Sequence, residues 1–358
     1  MKATARLHEL GQSLWLDNIT RDLLDSGTLS GYIKDLSVTG LTSNPTIFDH
    51  AITHSAKYDD DVRKLMGSGL SGEPLFFELA LADLTRAADL FLPIHQRTRG
   101  VDGWVSLEVS PKLAHDTAKT VAEAKRLHDK ANKPNLFIKI PGTLEGLPAI
   151  EDSIFAGVAI NVTLLFSRAD YLATADAYMN ALERRLKAGL PLDVSSVASV
   201  FISRWDRAVI DRLPDAMHDR LGIAIGQQTY KAYRDVLDSD RWQRLANCGA
   251  RPQRLLFAST SMKDPKAPDT LYVSGLAAPN TINTMPEATL KAFGEHGQAG
   301  AVLARDGGDC EQTIAAHVRA GIDVDELAAQ LQADGAKSFV DSWQDLLGAI
   351  DKKSSKLK

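Results

Sequence analysis

The sequence predicts an α/β fold, a (β/α)8 barrel carrying additional C-terminal helices. Three observations lead there. Short, apolar, β-branched runs alternate with longer amphipathic segments along the chain, eight such runs can be picked out, and no glycine-rich dinucleotide or P-loop fingerprint follows any of them. The last point weighs against an open, doubly wound sheet.

The candidate strands, in order, are "SLWLDNI" (13–19), "VTGLTSN" (38–44), "GWVSLEVS" (103–110), "NLFIKIP" (135–141), "VAINVTLLF" (158–166), "SVASVFIS" (196–203), "RLLFAST" (254–260) and "TLYVSG" (270–275). Between them lie helical patterns such as "KLAHDTAKTVAEAKRLHDKA" and "RADYLATADAYMNALERRLKAG", and residues 45–100 form a long helical connection after the second strand. From residue 280 the pattern is helical to about residue 351, the last segment reading as two helices packed on the barrel. The basic tail "DKKSSKLK" reads as disordered over 352–358. With no repeat and no linker, residues 1–358 are expected to form a single barrel domain, its strands spread over 13–276.

Composition narrows the class of function. The chain is 44% hydrophobic and 24% charged with a net charge of -5, an ordinary globular balance. Mild acidity gives no reason to expect a nucleic-acid partner or an anionic membrane surface. Nothing approaches a membrane span, and "MKATARLHELGQS" lacks the apolar core of a signal peptide. Two cysteines, Cys248 and Cys310, argue against a disulfide framework or a cysteine-rich metal site and fit a reducing, cytoplasmic setting.

Chemistry gathers at the C-terminal ends of barrel strands, where one parity of each strand faces the axis. In the fourth run, alternation puts Leu136, Ile138 and Ile140 on one face and Phe137, Lys139 and Pro141 on the other. A buried ammonium is costly unless something uses it. The neighbouring strand ends supply more polar groups: Asp17, Asn44 before Pro45, Ser106 with Glu108 and Ser110, and Asn161 with Thr163. Singly, each has an ordinary explanation, as a structural ion pair, a loop cap or a turn residue. Five consecutive strands delivering such groups to one end favour a site. A lysine beside two carboxylates, without metal ligands, points to amine nucleophile chemistry. Desolvation makes a lysine easier to deprotonate, and the neutral amine attacks a carbonyl to give a Schiff base. The iminium accepts the electron pair of a neighbouring carbon–carbon bond while an acid/base group moves the hydroxyl proton. That is class I aldolase chemistry, and it needs no cofactor.

"GLTSNPTIF", "VSLEVSP", "NLFIKIPGT", "INVTLLFS" and "VASVFISRWD", in this order, resemble the transaldolase family in its longer-chain branch, from about residue 10 through the helical C-terminus. The resemblance implies a barrel whose Schiff-base lysine is Lys139, with Asp17 as the acid/base for carbon–carbon cleavage and Glu108 with Thr163 holding a proton-relay water. It implies that Asn44, Asn161 and Ser199 bind the hydroxyls of a dihydroxyacetone unit. Arg204 occupies the position of the family's phosphate-binding arginine, a planar fork suited to phosphate oxygens. After the seventh strand "ASTSMKDP" stands where shorter members carry a second arginine, so Ser259 and Lys263 are assigned to phosphate. "TLYVSGL" departs from the acidic sequence of the longer branch, whereas "NTMPEATL" matches it.

The implied activity is transfer of a dihydroxyacetone unit from sedoheptulose 7-phosphate or fructose 6-phosphate to glyceraldehyde 3-phosphate or erythrose 4-phosphate, in the non-oxidative pentose phosphate pathway. Sugar phosphates are the expected partners, with the chain a monomer or homodimer. Fructose 6-phosphate aldolase on the same scaffold is the close rival, and Phe201 favours the transferase because the family's aldolases carry a tyrosine there. A silent sugar-phosphate-binding barrel is the other, against which Lys139, Asp17 and Glu108 argue. His50 and His54, followed by "DDD", read as a solvated face rather than a metal site. The aromatic residues show no basic interleaving for nucleic acid, and Cys248 reads as a packing residue.

Overall fold

In the computed structural model, which describes residues 2–358, eight parallel strands close into a barrel in sequence order. They are β1 (Ser13–Asp17), β2 (Val38–Thr42), β3 (Val105–Glu108), β4 (Leu136–Pro141), β5 (Ile160–Leu165), β6 (Ser196–Phe201), β7 (Arg254–Ala258) and β8 (Ile282–Met285). The first seven fall inside the runs read from the sequence.

Two buried clusters follow from the alternation of side chains along each strand. Leu14, Leu16, Val105, Leu107, Leu136, Ile138, Ile140, Ile160, Val162, Ala198 and Val200 point outward and pack with the surrounding helices. Trp15, Phe137, Val197, Leu256 and Ile282 belong to the second cluster and fill the barrel axis. Trp104 stacks on Phe137 at 4.0 Å between ring centroids. Gly40 is required beside this plug, because a Cβ there would lie 2.5 Å from the Trp15 indole. Beneath it Asp102 accepts hydrogen bonds from Ser13 and Trp15, and Arg254 donates to Ser13 and to the Thr281 carbonyl. The plug and these polar contacts close the barrel axis, so the cavity at the C-terminal end does not run through to the other end.

The eighth strand is not where the sequence predicts it. Residues 271–275 of "TLYVSG" form a short helix, Leu271–Gly275, and the strand is supplied by Ile282–Met285, within the stretch expected to be helical. Tyr272, Val273 and Leu276 are all buried, a helical and not an alternating spacing. The Tyr272 hydroxyl donates to Asp206 at 2.8 Å. That carboxylate also accepts from Leu221 N and Gly222 N at the start of the helix Leu221–Asp238. Docking onto a helix cap holds this segment outside the sheet.

The C-terminal region also differs. One 34-residue helix, Val324–Leu357, replaces the two expected, and it includes nearly all of the tail read as disordered. Its continuity past Gly335 is explained by burial, since that glycine sits where a Cβ would be 3.0 Å from Leu164 Cδ2 and 3.2 Å from Arg204 Nη1. Its far end is held by Lys353, which donates to the carbonyls of Ile52 and Ser55 and pairs with Asp59. Between these anchors Trp343 is buried against Phe76 and Phe77. The helix therefore crosses the C-terminal mouth of the barrel. No helix among the described residues is long and apolar enough to cross a membrane.

Candidate active site

A cavity of about 330 Å³ opens at the C-terminal end of the strands, the size of a small-molecule pocket. Asp17, Asn44, Lys139, Thr163, Ser199, Phe201, Arg204, Ser259 and Lys263 all line it. Glu108 and Asn161 lie beneath its surface, both buried, and reach it through their neighbours.

Register explains the floor. Glu108 and Asn161 are the direct strand partners of Lys139 on either side. The Lys139 ammonium donates to the Ser43 carbonyl at 3.2 Å and stands 3.6 Å from Glu108 Oε2, an ionic contact rather than a hydrogen bond. Both side chains are nearly inaccessible, at 8% and 6% exposure. Burial raises the Glu108 carboxyl to about 6, against the opposing pull of the Lys139 charge. Asp17 is raised in the same way by burial, opposed by Lys139 and by a bond from Thr42. That bond, Thr42 Oγ1 to Asp17 Oδ1, is 2.7 Å, and Thr42 also shares a 2.7 Å contact with Thr284 Oγ1.

Asn161 is fixed by two hydroxyls: its amide donates to Ser106 at 3.1 Å and its oxygen accepts from Ser199 at 2.7 Å. Asn44 has two roles, since it lines the cavity and caps the helix Pro45–His54 by accepting from Ile47 N at 3.1 Å. Directly after Thr163 the strand leaves its register, with Leu164 at φ 61°. Such a break re-aims the side chains beside it, and Thr163 is left facing the cavity. Two buried oxygens on this floor, Thr163 Oγ1 and Glu108 Oε2, have no hydrogen-bond partner among the described residues. Buried polar atoms of this kind call for a ligand or an ordered water.

The rim is cationic. Arg204 and Lys263 line the cavity with no ion pair to a carboxylate among the described residues, and Arg207 lies near both. Partial burial and the like charge of Arg207 hold the Arg204 guanidinium below its ordinary value. Lys263 is lowered by partial burial and by Arg207 and Arg204. Cations gathered this way favour an anion between them. Ser259, in the left-handed region at φ 55°, contacts Ser203 Oγ at 2.9 Å beside them. Phe201 forms one wall, its ring 5.3 Å from Phe166 and 5.2 Å from the Arg204 guanidinium carbon.

Several lining residues were not singled out in the sequence. Thr42 and Thr284 are on inward positions of β2 and β8, and alternation would have found Thr42. Ser338, Phe339 and Ser342 come from the C-terminal helix. Only the fold-back of that helix brings them here, and no local pattern signals it. His50 and His54 stack on each other at 4.4 Å on the helix after β2, away from this cavity's lining.

Comparison with known proteins gives a consistent set of relatives. A family model described as "Transaldolase/Fructose-6-phosphate aldolase" matches residues 14–350. The chain is similar to a transaldolase of Frankia alni, 44% identical over 97% of this chain and 96% of the relative. It is 43% identical to a transaldolase of an Arthrobacter species, over 97% of this chain and 96% of that protein. It is 42% identical to a transaldolase of Thiobacillus denitrificans, over 98% of this chain and 100% of that protein.

Proposed function

This chain belongs to the transaldolase/fructose-6-phosphate aldolase family, and we propose that it is a transaldolase acting through a Schiff base on Lys139. One observation carries the reading: a buried lysine on the cavity floor, flanked by Glu108 and close enough to Asp17 to oppose its rise, beneath a rim of cations that have no carboxylate partner among the described residues. The floor suits imine chemistry and the rim suits a phosphate.

In this reading the Lys139 amine attacks the ketose carbonyl carbon and water leaves, giving an iminium. Asp17 takes the proton of the hydroxyl on C4, the C3–C4 bond breaks, and its electron pair moves into the iminium to form an enamine. The aldose phosphate departs, an acceptor aldehyde enters, and the steps run in reverse. Glu108 and Thr163, whose buried Oε2 and Oγ1 have no hydrogen-bond partner among the described residues, serve a relay water that moves protons during imine formation and hydrolysis. Asn44, Asn161 and Ser199 address the hydroxyls of the dihydroxyacetone fragment, while Arg204, Ser259 and Lys263 hold the distal phosphate. Sedoheptulose 7-phosphate and fructose 6-phosphate are the donors, and glyceraldehyde 3-phosphate and erythrose 4-phosphate the acceptors.

Glu108 sets an acid limit. It accepts protons only as a carboxylate, so kcat should fall as pH drops through about 6 rather than through 4.5, the ordinary glutamate value. The same shift has a stability consequence of fixed sign. Between pH 4.5 and about 6 the folded protein holds a proton that the unfolded chain has released, so this contribution is full below 4.5 and fades as pH rises through 6. An acid limb centred at 4.5 or lower would remove Glu108 from the proton path.

The test of transferase against aldolase uses fructose 6-phosphate alone. Release of free dihydroxyacetone requires a proton at the enamine carbon and then hydrolysis, and Phe201 has none to give. Turnover should nearly stop after one equivalent per site, and an added aldose phosphate should restore it. Phe201→Tyr should raise dihydroxyacetone release by placing a phenol at the cavity wall. Release by the unmodified enzyme as fast as transfer would make it the aldolase instead.

A further inference from the structure

The C-terminal helix contributes an aromatic ring to the cavity that the mechanism above does not use. Phe339 is half-buried, and its ring centroid lies 5.9 Å from Lys139 Nζ. A cation within about 6 Å of an aromatic face is attracted by the ring quadrupole. The helix is held in register for this contact at both ends. On one side Gln332 donates to the carbonyls of Gly142 and Leu164, at the ends of β4 and β5, and Gly335 allows the helix to approach Leu164 and Arg204 closely. On the other, Thr46 donates to Ser342 at 3.0 Å and Trp343 is buried in the core. Gln332, Gly335, Phe339 and Trp343 recur at intervals of three and four residues, so they share one face of the helix, and that face is turned to the barrel.

Resting on the transaldolase reading, we propose that Phe339 is a positioning residue that roofs the Lys139 amine. It limits the access of bulk water to the covalent intermediate, apart from the relay water on the floor, and sets how the bound fragment partitions. The enamine on Lys139 has two fates. Its carbon attacks an aldehyde, forming the new carbon–carbon bond, or it takes a proton and the iminium carbon then accepts hydroxyl from water. In the second fate the C–N bond breaks, returning the lysine amine and free dihydroxyacetone. Nothing is oxidised or reduced in either fate; they differ in whether aldehyde or solvent reaches the fragment first. An apolar roof on a helix pinned at both ends admits substrate through the cationic rim and denies water the face above Nζ. The ring face also favours the iminium charge at that nitrogen. Phe201 and Phe339 then act differently, one by withholding a proton donor and the other by withholding solvent.

The experiment measures free dihydroxyacetone and transferred product together, with fructose 6-phosphate as donor and erythrose 4-phosphate as acceptor. Phe339→Ala should raise the ratio of release to transfer about tenfold, which is about 1.4 kcal/mol between the two fates. Phe339→Leu, which retains part of the apolar bulk and protects the test against misfolding of the alanine variant, should raise it about threefold, roughly half that difference in free energy. KM for fructose 6-phosphate should change less than the ratio in both, which a merely structural defect would not produce. Borohydride trapping on each variant separates the two layers of the proposal. A Lys139 adduct with an unchanged release-to-transfer ratio in both variants overturns the role of Phe339 alone. No adduct even in the unmodified enzyme overturns the transaldolase reading, and this one with it.

Discussion

Lys139→Arg is expected to lose on the order of 10⁴-fold or more in kcat while leaving the fold intact, the usual scale for removing a covalent nucleophile. The substitution keeps a cation beside Glu108 and near Asp17, so the buried carboxylates are not left without a countercharge. What it removes is the ability to become a neutral amine, because a guanidinium stays protonated in a protein. Lys139→Ala would confound the two effects by leaving Glu108 buried and unpaired. Steady-state transfer assays with thermal unfolding as a control separate loss of chemistry from loss of structure. Transfer within tenfold of the unmodified rate would mean that another group forms the imine.

Arg204→Ala should lower kcat/KM for phosphorylated sugars by about 10²-fold through KM, the scale for losing a charge-assisted fork to an anion. Fructose, which has no phosphate, should be affected little. Arg204 is half-buried, stacked toward Phe201 and without a carboxylate partner among the described residues, so its removal deletes a binding charge and breaks no ion pair. Lys263→Ala should act in the same direction and more weakly, since an ammonium offers a point charge without the fork of a guanidinium. Comparison of KM for fructose 6-phosphate and fructose checks both. Equal losses for the two sugars would assign these cations to stability.

Much of the cavity floor is legible in the sequence because strand alternation is a short-range rule. Once Lys139 is placed inward on β4, its neighbours in register follow, and Glu108 and Asn161 appear beside it. The rim residues Arg204, Ser259 and Lys263 rest instead on the resemblance to the family, and all three line the cavity. The errors have a different origin. "TLYVSG" has β-branched and aromatic residues that suit a strand, but Tyr272 is recruited by Asp206, and tertiary docking overrides local propensity. "NTMPEATL" reads as a helix start, and its first residues are taken into the barrel because closure requires an eighth strand between β7 and β1. Gly335 looks like a helix break, and only the approach to Leu164 shows why it is tolerated. For the same reason Phe339 was invisible, since its partner lies two hundred residues away in the chain and on another element.

The most direct measurement is covalent trapping. The unmodified protein, incubated with fructose 6-phosphate and borohydride and then digested, should yield one peptide carrying a reduced three-carbon adduct, with the modification on Lys139. Prior inactivation should match the extent of labelling, and Lys139→Arg should give no adduct. A reduced adduct on a different lysine, or full transferase activity surviving borohydride with substrate present, would contradict a Schiff base at this position.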